Sequence, residues 1–152
     1  MNPPVQTIVS HRFAFPPERV FDAWLDPEWL GRWMYGPAVR DERVVRLGLE
    51  PRVGGKFSFV VDRQGKEVDH VGEYLEIDRP RLLVFTWSTR DALPDTSRVI
   101  IEITPHADGC ELTLTHVMGT EWADFADRAA GSWRTMLGAL DRALQPQHSL
   151  SS

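Results

Sequence analysis

The chain has 152 residues, 42% of them hydrophobic and 26% charged, with a formal net charge of −5; this is the length and composition of one globular domain with a single core. Its 17 basic residues form no run, which excludes the cationic footprint of a nucleic-acid binder, and a lone Cys110 excludes an intramolecular disulfide or a thiolate metal cluster. No basic-plus-apolar leader opens the sequence and no window reaches about 18 apolar residues, so a cytoplasmic protein without a membrane span is expected.

Residues 5–15 ("VQTIVSHRFAF") alternate imperfectly at Ile8, Phe13 and Phe15 and read as a strand that Pro16 ends. Pro17 and Glu18 suit a first helical turn, and Val20, Phe21, Trp24 and Leu25 then share an apolar face. Asp26 is an N-cap with Pro27 at the first helical position of a second short helix, which buries Trp29, Leu30 and Trp33 and stops at Gly36-Pro37. Six strand-like runs follow, at 43–50, 56–63, 70–77, 82–89, 97–104 and 110–117, separated by the turn signals Gly54-Gly55, "RQGKE", "DRPR", "RDALPD" and "HADG". Short connections make an antiparallel meander the simplest topology. From 120 to 144 the period becomes helical: Trp122, Ala126, Ala129, Trp133, Leu137, Leu140 and Leu144 form one stripe, with Asp141 and Arg142 off it toward solvent and Pro146 ending the run. Residues 1–152 thus read as one domain with a disordered tail at 146–152.

The class is α+β: a curved antiparallel sheet of about seven strands wrapped around a long C-terminal helix, with two short helices after the first strand. A twisted sheet curls away from a straight helix, so a cavity is expected between them, closed at one end by the short helices.

Particular residues carry a family resemblance in addition: "PPERVFDAW", "DPEWLGRW", "RVGGKF", "GEYLEIDRPRLLVFTW", Ser97 opening its strand, "GCELTLTH" and Trp133-x-x-x-Leu137, in this order from about residue 7 to 144. The chain resembles the START-like (SRPBCC, Bet v-like) helix-grip superfamily, and within it the family of the activator of heat-shock-protein-90 ATPase homologues, C-terminal-domain type (AHSA-like). Two features depart from the pattern. Ser132 separates Gly131 from Trp133, and the separate N-terminal domain of the eukaryotic activator is not expected in this chain, which counts against a chaperone partner.

Trp33, Met34 and Tyr35 either plug the open end of the groove as core or form an adaptable aromatic lip over an apolar ligand. Ala126 and Ala129 beside Trp133 and Met136 leave volume under the helix. Strand parity turns His116 and Met118 inward with Leu112 and Leu114, and Phe85 shares a face with Trp87. Phe57, Phe59 and Tyr74 complete the expected lining. The facing of 70–77 stays open between Val71, Glu73 and Leu75 on one side and Gly72, Tyr74 and Glu76 on the other, which leaves His70 undecided. No nucleophile elbow, S-x-x-K or phosphate loop is present, the five histidines show no metal spacing, and no cofactor is implied. Cys110 and the charged residues Glu18, Arg19, Asp22 and Arg32 read as structural and as solvated helix faces.

These features point first to a non-catalytic binding protein for a small apolar or aromatic molecule. A stress- or chaperone-linked interaction domain, with a homodimer as a variant, and a cyclase- or aromatase-like enzyme using His116 with Tyr74 or Glu73 are the alternatives.

Overall fold

The computed structural model describes residues 5–35, 40–93 and 95–145; the expected Gly36-Pro37 stop, Pro146 and the 146–152 tail lie outside them. In chain order the elements are β1 (Val5–Phe13), α1 (Pro17–Asp22), α2 (Pro27–Trp33), β2 (Arg43–Leu49), β3 (Lys56–Arg63), β4 (Lys66–Asp78), β5 (Leu82–Thr89), β6 (Ser97–His106), β7 (Gly109–Met118) and α3 (Ala126–Leu144). The strands make one seven-stranded sheet in the order β1-β7-β6-β5-β4-β3-β2, with every neighbouring pair antiparallel. Hairpins build the sheet from β2 to β7, and β1 closes on the last strand. Among the described residues no helix is long and apolar enough to cross a membrane.

Local chemistry explains most boundaries. Pro17 opens α1, and the Asp26 carboxylate accepts from the Glu28 N–H at 3.0 Å to cap α2. β4 starts four residues before the expected 70. Gln64 and Gly65 both take positive φ, 55° and 87°, and form a two-residue turn, so Arg63 pairs directly with Lys66 and most of "RQGKE" is strand. In "RVGGKF" only Gly54 needs positive φ (82°); Gly55 is required because a Cβ there would lie 2.2 Å from the Glu50 carbonyl oxygen.

β4 settles the facing question in a way neither uniform alternation allows. Its register against β5 jumps from Tyr74↔Phe85 to Glu76↔Val84, leaving Leu75 as an extra residue. Before this bulge His70, Gly72 and Tyr74 face inward; after it Glu76 is exposed. Gly72 is forced by close approach, since a Cβ would lie 2.4 Å from the Phe57 ring.

The C-terminal segment is also two pieces. Thr120–Phe125 is a 3-10 turn, and only from Ala126 does the α-helix run, about 28 Å at 1.5 Å per residue. Trp122 therefore leaves the stripe and is 43% exposed, while Ala129, Trp133, Leu137, Leu140 and Leu144 are buried. Asp141 is likewise not free in solvent: it is half-buried and accepts from His11 Nε2–H at 2.7 Å, tying α3 to β1. Nor are Arg19 and Asp22 merely solvated. Arg19 donates to the Leu144 carbonyl at 2.9 Å at the C-terminal end of α3, where a positive charge suits the helix dipole, and Asp22 accepts two bonds from Arg79.

α3 approaches β1 and α2 most closely. Large side chains fill much of the space between it and the middle strands. Trp24 meets Trp33 edge-on at 4.6 Å, and Phe57, Phe59, Tyr74 and Phe85 form a continuous ring cluster beneath.

Candidate functional site

The rings do not fill the interior completely. A cavity of about 510 Å³ remains between the sheet and α3, inside the roughly 300–1,000 Å³ range of small-molecule sites. Trp87 from β5, Trp133, Ala129 and Met136 from α3 and Met118 from β7 form its apolar walls. Trp122 and Phe125, packed edge to face at 6.0 Å and partly exposed, stand at its mouth. The opposite end is polar and is made by Tyr35, His70, Arg40 and Arg63. Contacts run through the site in sequence: Tyr35 to His70 at 5.1 Å, His70 stacked on Trp87 at 5.5 Å, Trp87 to Trp133 at 5.7 Å, and Trp133 edge-on to His116 at 5.9 Å between ring centroids.

Hydrogen bonding fixes the state of His116. An indole N–H can only donate, so the bond from Trp133 Nε1 at 3.1 Å makes His116 Nδ1 an acceptor. The proton then sits on Nε2, which donates to Ser97 Oγ at 2.7 Å, and the Ser97 hydroxyl donates onward to the Trp87 carbonyl at 2.9 Å. This chain ties β5, β6, β7 and α3 together around a neutral imidazole with both nitrogens engaged. Burial lowers the His116 pKa to about 4, in keeping with that state.

His70 is different. Its Nδ1–H donates to the Phe59 carbonyl at 3.3 Å, which leaves the Nε2 lone pair as an acceptor on the cavity side. Burial, aided by the nearby Arg63 charge, lowers its pKa to about 4 and keeps it neutral. Tyr35 is 2% exposed and its hydroxyl has no partner among the described residues, although its ring packs against Phe59 and His70. Burial raises its pKa well above 10, so it is a neutral phenol. Beside it the Glu42 carboxylate is fully buried and bridges two guanidinium groups, Arg63 at 2.6 Å and Arg40 at 3.4 Å.

Of the residues expected from the sequence to line a cavity, Tyr35, Trp87, His116, Met118, Ala129, Trp133 and Met136 meet at this one. Trp33, Met34, Phe57, Phe59, Tyr74, Phe85 and Ala126 do not border it. Trp33 and Met34 are a plug rather than a lip: both are buried, and the Trp33 indole N–H donates to the Ala23 carbonyl at 3.0 Å. Phe57, Phe59, Tyr74 and Phe85 form the packed floor, and Ala126 lies where its carbonyl accepts from Thr7. The volume opens beside Ala129, since Phe125 points to the mouth instead of filling it. Sequence reasoning missed Ser97, Ser132, Arg40 and Arg63 as lining and left His70 undecided; the Arg63–Glu42 pair joins residues 21 apart and gives no local signal. Cys110 is buried, with its thiol pKa raised by burial, and takes no part. Among the described residues no cluster is suited to hold a metal ion.

A family model described as activator of Hsp90 ATPase homolog 1-like protein matches residues 14–145. Several solved structures share the fold. Protein CV1439 from Chromobacterium violaceum is 24% identical with a TM-score of 0.81, over 93% of this chain and 98% of its own. Protein NE0264 from Nitrosomonas europaea is 20% identical with a TM-score of 0.79, over 92% and 94% respectively. CalU16 from Micromonospora echinospora is 23% identical with a TM-score of 0.70, over 94% of this chain and 78% of its own. No match was found among curated proteins.

Proposed function

The chain belongs to the activator of Hsp90 ATPase homolog 1-like family, and from that premise we propose that it is a non-catalytic binding protein for a small apolar or aromatic molecule held in the cavity under α3. The observation that carries this reading is the contrast between the two ends of one space. Trp87, Trp133, Met118 and Met136 supply adaptable apolar surface, and the buried Tyr35 hydroxyl waits without a partner at the other end. A two-ring aromatic hiding roughly 200 Å² of apolar surface gains about 5 kcal/mol at 25 cal/mol per Å², before the cost of association. The polar groups set its orientation.

The His116 chain supports binding over proton transfer at that residue. Its acceptor nitrogen is taken by Trp133 and its proton by Ser97, so His116 braces the wall.

Native mass spectrometry of the purified protein, with Ala129→Phe alongside, tests the proposal. The wild type retains a co-purified small molecule or binds naphthalene-sized aromatics by calorimetry. Ala129→Phe projects a ring from α3 into the cavity and abolishes binding while the circular dichroism spectrum stays native. Unaltered binding in that variant would put the ligand elsewhere and overturn the proposal.

A further inference from the structure

We infer that the ligand is an aromatic or apolar acid whose carboxylate sits against the Tyr35 hydroxyl, beside Arg63 and Arg40, with its hydrocarbon body along the wall that Trp87, Trp133 and Met136 form. This deepens the cavity-binding reading and rests on it. Three observations at one end of the cavity converge. The Tyr35 hydroxyl is a buried donor with no acceptor among the described residues, and the Tyr35 side chain lines the cavity. Two guanidinium groups border the same space, and the single buried carboxylate between them, Glu42, balances only one of their charges. Each guanidinium has N–H groups beyond those bound to Glu42 and to the Met34 carbonyl, and these have no partner among the described residues. Among the described residues the only acid bordering the cavity is Asp95, which is exposed on the β5–β6 connection.

A cationic ligand group would meet a net positive charge here. A hydrocarbon alone would leave the phenol unpaired. A carboxylate accepts from the phenol and from a guanidinium together, in a partly desolvated setting where such charge-assisted bonds are strong. The His70 Nε2 lone pair, at the same end, sets a limit on what else fits: a second oxygen there must carry a proton.

The test compares 2-naphthoate with the isosteric neutral 2-naphthamide by isothermal titration calorimetry. Wild-type protein should bind naphthoate at least about tenfold more tightly than the amide, the margin of a charge-assisted hydrogen bond. Tyr35→Phe should shrink that preference severalfold, and Arg63→Gln should remove it. Thermal melts show whether each variant folds; if Arg63→Gln does not, Tyr35→Phe decides alone. Equal wild-type affinity for both probes would overturn this inference and leave the apolar cavity reading standing. Binding of neither probe would overturn both. A preference undiminished in the folded variants would place the charge elsewhere and overturn the inference.

Discussion

Replacing Tyr35 with phenylalanine removes one oxygen atom and leaves the ring contacts to Phe59 and His70 in place. For most buried tyrosines this loses a hydrogen bond and destabilises. Here the hydroxyl is desolvated and unpartnered in the ligand-free protein, so the folded state carries its desolvation cost, about 1–3 kcal/mol for a neutral polar group. Removing the oxygen also forfeits its packing contacts, which sets the expected gain at the lower end. Ligand-free Tyr35→Phe should be more stable than wild type by about 1 kcal/mol. For a domain of about 150 residues that raises Tm by roughly 2–4 °C. Urea denaturation should show a higher midpoint at unchanged slope, with calorimetry confirming the shift. A loss of about 1 kcal/mol or more would mean that the hydroxyl is paired in the folded protein, and the case for a ligand oxygen at that point would fall with it.

Two further predictions follow from the histidines. Ser97→Ala strips the acceptor from His116 Nε2–H and the donor from the Trp87 carbonyl, and should cost about 1–3 kcal/mol by urea denaturation; in the wild type, imidazole ¹⁵N shifts should report the Nε2–H tautomer of His116, and an Nδ1–H signature would contradict the bonding scheme. His70 and His116 both fall from 6.5 when unfolded to about 4 when folded, so the unfolded chain takes up protons first as the medium acidifies. Their contribution is complete above about pH 6.5 and is lost as pH falls toward 4, at about 1.4 kcal/mol per pH unit for each histidine. A urea midpoint that stays level between about pH 7 and about pH 5 would show that neither histidine is held neutral by burial in the native state.

The sheet was legible because β6 and β7 alternate cleanly: Val99, Ile101 and Ile103, and Leu112, Leu114, His116 and Met118, are all buried. β4 was not legible, because a one-residue bulge at Leu75 reverses the parity halfway along and no local residue type marks it. The helix stripe misled at its start for a related reason. Trp122 sits at a helical interval from Ala126, yet a 3-10 turn winds more tightly than 3.6 residues and swings that ring to the mouth. The apolar part of the site was readable as small residues opposite aromatics. Its polar part was not, because Ser97 and His116, or Glu42 and Arg63, become neighbours only through strand pairing.

The position of β1 has a consequence for how the molecule is made. Val5–Phe13 leaves the ribosome before the other six strands, yet Ser10 meets Thr113, 103 residues later in the chain. Closing a loop of that length costs about 4 kcal/mol in chain entropy. The growing polypeptide can assemble its meander hairpin by hairpin while the leading segment trails unzipped, and the cavity acquires walls on all sides only when that segment returns and α3, bound to it through Asp141 and Ala126, folds down over the sheet. The cavity is thereby a late product of folding: its enclosure is finished only once α3 is free to dock.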